Sequence, residues 1–152
     1  MPTVPTNRIN LEQAERLVDG ALAHGRHLEL PPLTVAVLDD AGRLVVLKRE
    51  DNSSLLRPEI AQAKAFGALA MGMGSRGLAQ RAETHPHFIS AMSTLAGGKL
   101  VPVPGGVLFF NSGNMLLGAV GISGAFPDQD EACAIAAITA CGLRAEAGAL
   151  SH

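Results

Sequence analysis

Glycine and polar residues interrupt two apolar segments near the end of the chain, and this pattern indicates a binding site. Gly105 and Gly106 precede one apolar segment, while Ser123 and Gly124 end the next, shortly before a helix predicted to begin near Asp128. Glycines in strands often mark the close approach of a backbone or a ligand. Free N–H groups at a helix start can bind a carboxylate or carbonyl oxygen. We predict a ligand-binding pocket where these glycine pairs converge.

Two acidic residues follow the glycines, in the first turn of the predicted helix. Asp130 and Glu131 are adjacent there. Their common role would be a favourable interaction with the helix dipole, and their alternative role would be acid–base chemistry. Asp130 is included in the predicted ligand-binding set.

Two cations are candidates for contact with an anionic ligand. Lys64 lies in a segment, residues 57–71, that is predicted to be a buried helix. Its amine could bind a carboxylate or act as a base, or it could extend to solvent at the helix rim. Arg49 follows a predicted strand and could bind a carboxylate through two hydrogen bonds, or pair with an acidic neighbour on the surface. We predict that both face the pocket and are the catalytic residues if the protein is an enzyme.

One histidine is a candidate ligand-binding residue. His24 lies at the edge of the apolar face of the first predicted helix. An imidazole beside an apolar wall can bind a metal-containing cofactor, although a lone histidine there is more often a residue at the edge of the core. His85 and His87 are two residues apart, so they do not share a helix face. We predict no metal-ion site for them.

The apolar pattern predicts the order helix, hairpin, three helices, hairpin, helix. The predicted elements are a helix over 10–29, strands over 33–38 and 43–48, helices over 57–71, 75–82 and 84–96, an edge strand over 99–103, strands over 107–111 and 115–123, and a helix over 128–148 capped by Asp128. Because hairpins join antiparallel strands, we predict an α+β fold with a central antiparallel sheet of four to five strands and helices on both faces. Residues 1–152 are predicted to form a single domain.

The composition argues against several classes of protein. The net charge is −2, and Trp and Tyr are absent, so no nucleic-acid partner is expected. No segment reaches the roughly 20 apolar residues of a membrane span. Residues 1–10 have neither a basic start nor an apolar run, so we predict no signal peptide and a cytoplasmic location. Leu69, Met71 and Met73 would be exposed in a monomer, which predicts a homo-oligomer, at least a dimer.

Several motifs together resemble the GlcG/HbpS/PduO-C family of haem-binding or haem-degrading domains. Residues 32–39 with 42–44 are similar to the family's first hairpin, 49–51 to its Arg-x-Asp motif, 63–65 to its Lys-Ala helix, and 104–107, 118–124 and 130–131 to its C-terminal signature. The resemblance implies a profilin-like sheet flanked by helices, often in a homo-oligomer. Two positions depart from the pattern, with Leu108 where many members have Pro and Gly67 where many have Thr. If these positions shape the pocket, the ligand differs within the family.

Two function hypotheses follow from the residues and the resemblance. The first, which the resemblance implies, is a small-molecule binding protein that takes haem or a related tetrapyrrole as its cofactor, with His24 as the first choice of axial iron ligand. The second is an isomerase, lyase or hydrolase that acts on a small metabolite bearing a carboxylate or carbonyl group. The absence of a recognisable nucleophile–base pair in the sequence argues against hydrolysis.

Overall fold

The computed structural model describes residues 8–148 of the chain. The helices are α1 (Leu11–His27), α2 (Arg57–Met71), α3 (Ser75–Thr84), α4 (Pro86–Leu95) and α5 (Pro127–Ala140), and the strands are β1 (Thr34–Asp39), β2 (Leu44–Arg49), β3 (Gly106–Phe110), β4 (Leu116–Ser123) and β5 (Arg144–Glu146). The strands form one antiparallel sheet in the order β2-β1-β4-β3-β5. The predicted α+β fold is confirmed. Residues 1–7 and 149–152 lie outside the described residues, and so does most of the segment on which the signal-peptide prediction rests.

Alternating side chains of the strands direct different helices to the two faces of the sheet. Val35 and Val37 of β1 belong to the large core beneath α1 and α5. Leu38, on the other face, packs with Ala65 and Ala68 of α2. Helices α3 and α4 form a smaller cluster beside α2. The sheet therefore lies between an α1–α5 layer and an α2 layer.

Two glycines allow α2 to lie directly on the sheet. Gly106 of β3 and Gly121 of β4 are paired across the two strands. A Cβ atom at Gly106 would overlap the backbone carbonyl of Lys64, and one at Gly121 would overlap that of Ala61. A side chain at either position would force the helix away. The glycines therefore serve the packing of α2, and this packing brings Lys64 close to the end of β4.

The last part of the chain differs from the sequence-based prediction. Residues 99–103 form no strand, and the edge next to β3 is taken by β5. Pro102 lacks an N–H group for strand pairing. The residues of β5 lie within the segment 128–148 that is predicted to be a helix. Helix α5 ends at Ala140, and Gly142 follows in a left-handed conformation with φ of 75°.

The start of α5 also differs, because Asp128 is not its cap. The N-cap residue is Phe126, whose backbone N–H donates to the side chain of Gln129 at 3.2 Å. Asp128 instead accepts a hydrogen bond from Arg76 of α3.

The apolar residues used to predict an oligomer are not freely exposed. Leu69 is half-buried against the α2 face of the sheet, and Met71 and Met73 pack on the cluster between α3 and α4. That part of the expectation was wrong, since helices α3 and α4 cover the end of α2. The homo-oligomer stays a prediction. Among the described residues, no helix is both long enough and apolar enough to cross a membrane.

Candidate functional site

A buried lysine–aspartate pair lies where β4 ends and α5 begins. The amine of Lys64 is 3.1 Å from Oδ2 of Asp130 and 2.9 Å from the carbonyl oxygen of Ile122. Asp130 also accepts the backbone N–H of Ala125 on Oδ1 at 3.0 Å. Lys64 is only 3% exposed and Asp130 only 1%. The amine therefore points inward and does not extend to solvent.

Burial shifts the proton affinities of the two groups in opposite directions. It lowers the pKa of the Lys64 amine below its usual range, although the attraction and hydrogen bond of Asp130 act against this shift. It raises the pKa of the Asp130 carboxyl, against the attraction of Lys64 and the hydrogen bond from Ala125. Both shifts favour the uncharged forms. The pKa values of the two groups therefore lie closer together than those of a lysine and an aspartate in water.

Gly105 provides the space for the lysine amine. It adopts φ of 126°, and a Cβ atom there would lie 2.9 Å from both the Lys64 amine and the Ile122 carbonyl oxygen. Its own carbonyl accepts the N–H of Ile122 at 3.0 Å. The neighbouring Gly106 donates its N–H to Ser75 at 2.7 Å. Gly105, Gly106 and Lys64, three residues of the predicted pocket, thus lie together in the structure. The pocket itself, formed with Ser123 and Gly124 and faced by Lys64 and Arg49, remains a prediction.

An arginine that the sequence analysis did not identify holds Ser123. Nη1 of Arg57 donates to Oγ of Ser123 at 3.0 Å, and its Nε donates to Oγ of Ser54 at 3.1 Å. Within the described part of the chain, no carboxylate lies at ion-pair distance from this guanidinium. Arg57 precedes Lys64 by seven residues, which is about two helical turns and places both on one face. That spacing is the signal that could have found it.

Arg49 lies near this cluster without touching it. In the sheet it is paired with Thr34, which in turn is paired with Ser123. It is therefore two strands, about 10 Å, from Ser123. Its side chain lines a surface cavity of about 460 Å³ between α1 and β2. Lys64 does not line that cavity, and a shared catalytic role for Arg49 and Lys64 stays a prediction.

Gly124 and Glu131 contact parts of the protein other than the Lys64–Asp130 pair. Gly124 adopts φ of 148°, and a Cβ atom there would overlap the carbonyl oxygen of Pro32. Glu131 accepts hydrogen bonds from Arg76 of α3, the closest at 2.9 Å. Arg76 thus bridges Glu131 and Asp128, and these two acids raise its pKa. The sequence placed Gly124 in the pocket, and the structure places it against the chain that enters β1.

His24 is on the other face of the sheet from Lys64. It is half-buried in α1, four residues after Gly20, where a Cβ atom would be 3.5 Å from Ala137 of α5. Residues four apart share a helix face, so His24 lies on the side of α1 that faces α5. The predicted iron ligand therefore lies in a different layer from Lys64, whereas Asp130 belongs to α5, which packs on α1. Among residues 8–148, no three His, Cys, Asp or Glu side chains are grouped to hold a metal ion.

Comparison with known proteins identifies the family. The model of the family described as "Haem degrading protein HbpS-like" matches residues 9–139. The chain belongs to this family. A solved structure of PduOC in complex with haem is 26% identical to this HbpS-like chain and covers 90% of it, with 96% of PduOC matched and a TM-score of 0.80.

Two other solved structures share the fold. The solved structure of HbpS is 24% identical, matched over 91% of this chain and 93% of its own, with a TM-score of 0.75. The Klebsiella pneumoniae protein ORFY is 18% identical over 92% of this chain and 94% of its own, with a TM-score of 0.80. The Citrobacter freundii corrinoid adenosyltransferase PduO is 28% identical over 92% of this HbpS-like chain. The chain spans only 41% of that relative, about two fifths of its length.

Proposed function

We propose that this protein binds haem or a related tetrapyrrole, with His24 as the iron ligand. The observation that supports it most is the similarity to PduOC, which was solved in complex with haem and matches this chain at 26% identity over 90% of its length. The family description points in the same direction. A cytoplasmic location and a homo-oligomeric state belong to the same proposal.

The surroundings of His24 suit an apolar cofactor. Helices α1 and α5 run antiparallel, since Gly20 faces Ala137 and a Cβ atom at Gly25 would be 3.9 Å from Sγ of Cys133. The end of α1 therefore lies beside the start of α5. Leu28, directly after the end of α1, is 46% exposed. Phe126, directly before the start of α5, is 77% exposed. Two large apolar side chains thus lie at the end of the helix pair that carries His24, where a porphyrin ring could cover them.

Cys133, in the α5 helix that packs on α1, is a second potential iron ligand, and it is unsuitable. Cys133 is fully buried, and burial raises the pKa of its thiol to about 11. Iron binds cysteine as the thiolate, which is scarce at neutral pH with this pKa. Bound haem would supply one-electron or oxygen chemistry, while the protein would supply the imidazole and the apolar contact.

Titration with haem tests the proposal. Purified protein mixed with haem should develop a sharpened and shifted Soret band that saturates at one haem per chain. The reason is that an imidazole ligand and an apolar contact change the environment of the iron and the ring. Free haem in the same buffer is the control. A spectrum that stays identical to free haem at every protein concentration would overturn the proposal.

A further inference from the structure

A second cavity lies on the α2 side of the sheet, away from His24. It encloses about 310 Å³ between the first hairpin, α2 and the loop after α4, a volume at the lower end of those found for small-molecule sites. Its apolar lining consists of Leu38, Leu44, Ala63 and Phe66. Its polar lining consists of Glu59, Gln62 and Lys99. None of these residues is an iron ligand of the usual kinds, so the cavity differs in chemistry from the proposed haem site.

Lys99 gives this cavity an unneutralised cation. Its amine lies 5.2 Å from the centre of the Phe66 ring. Within residues 8–148, no carboxylate lies at ion-pair distance from it, although Glu59 lines the same cavity. A positive group above an aromatic wall attracts an anion that can also make apolar contact.

The backbone at Lys99 and the ring of Phe66 are held in place by their neighbours. Backbone hydrogen bonds from Gly97 and Gly98 to the end of α4 form the turn before Lys99, and the next residue, Leu100, is buried in the cluster of α3 and α4. The Phe66 ring lies against Gly42, where a Cβ atom would be 3.1 Å away. The backbone and the ring that line the cavity are therefore in place before any ligand binds, which reduces the entropy lost on binding.

We infer that this cavity binds a small monocarboxylic acid with an apolar or aromatic body, whose carboxylate pairs with Lys99 and whose body contacts Phe66 and Leu44. Glu59 disfavours a second carboxylate, because like charges in one small cavity repel each other. The site is therefore selective for monoanions over dianions of similar size. The inference is independent of the proposed haem site.

Benzoate is the probe for this site. Titrated into protein with ¹³C-labelled alanine and leucine methyl groups, it should shift the methyl signals of Ala63 and Leu44. Lys99→Met should weaken benzoate binding about fivefold, the usual upper effect of an exposed ion pair. Benzyl alcohol should bind equally to both proteins, and terephthalate should bind more weakly than benzoate.

Two variants serve as controls for the benzoate titration. Lys48→Met removes a cation that pairs with Asp19 outside this cavity and should leave benzoate binding unchanged. His24→Ala should also leave it unchanged, so that failure of the haem proposal and failure of this inference are distinguished. The inference is overturned if millimolar benzoate does not shift the Ala63 and Leu44 signals, or if Lys99→Met binds benzoate as tightly as the parent.

Discussion

Replacing Asp130 with alanine should lower the free energy of unfolding by about 3–5 kcal/mol, the usual cost of leaving one member of a buried ion pair without its partner. Lys64 would keep the hydrogen bond to the Ile122 carbonyl and lose its only carboxylate within the described residues. The N–H of Ala125 would also lose its acceptor. Urea unfolding at neutral pH measures the loss.

The double variant Lys64→Met with Asp130→Leu is the matched control. It removes both charges and keeps apolar volume, so it should recover most of the lost stability. Glu12→Ala removes a partner of the exposed pair with Arg16 and should cost less than about 1 kcal/mol. If Asp130→Ala lowered the free energy of unfolding no more than Glu12→Ala does, the buried pair would not stabilise the packing of α2 and α5.

The single Asp130→Ala variant should also become more stable as the pH rises. Burial lowers the pKa of Lys64 in the folded state, and this variant lacks the carboxylate that opposes the shift. Between the lowered pKa and the unfolded value of about 10.4, the unfolded chain binds more protons, so stability increases with pH through that window. Urea midpoints measured across the alkaline range test the sign, and a flat or falling profile relative to the double variant would contradict it.

Gly121→Ala should destabilise the protein by about 3 kcal/mol or more, at the upper end of the cost of overpacking a well-packed interior. The added methyl would overlap the backbone carbonyl of Ala61, and backbone atoms cannot move aside as a flexible side chain can. Helix α2 must therefore shift away from β4, and Lys64 must move with it. Chemical denaturation measures the loss of stability.

A second glycine provides the control for that experiment. Gly20→Ala places a methyl 3.5 Å from Ala137, an ordinary van der Waals contact between α1 and α5. It should stabilise the protein by roughly 0.5–1 kcal/mol, because alanine favours the helix more than glycine does. If the two substitutions changed the free energy of unfolding equally, the close contact of α2 with the sheet would not be required for stability.

The sequence predicted the elements best where local signals were strong. The predicted bounds of α2, 57–71, match the structure, because Pro58 suits a helix start and Gly72 ends the helix in a left-handed conformation. The pairing of the last hairpin was also correct, since the turn at residues 112–114 sets its register. Strand β5 was missed because its three residues carry no alternating pattern and gain their pairing only from β3.

The sequence predicted several residues of the candidate site, but it did not predict which of them contact each other. Gly105, Gly106 and Lys64 lie together in the structure. This could be predicted because the glycine pair and the buried helix are both recognisable in the sequence. The direct link between Lys64 and Asp130 joins α2 to α5 across 66 positions, and no local pattern encodes that distance. The hydrogen bond from Arg57 to Ser123 also joins residues far apart in the chain, and only the seven-residue spacing of Arg57 from Lys64 indicates that the two cations share a helix face.

Comparison of three histidine variants in a haem titration tests the central claim most directly. His24→Ala should remove or shift the Soret band that haem develops with the parent protein, because the imidazole proposed to bind the iron is then absent. His85→Ala and His87→Ala should leave the band unchanged, since His85 contacts Thr84 at the α3–α4 junction and His87 is exposed in α4. A Soret band in His24→Ala identical to that of the parent would contradict the account.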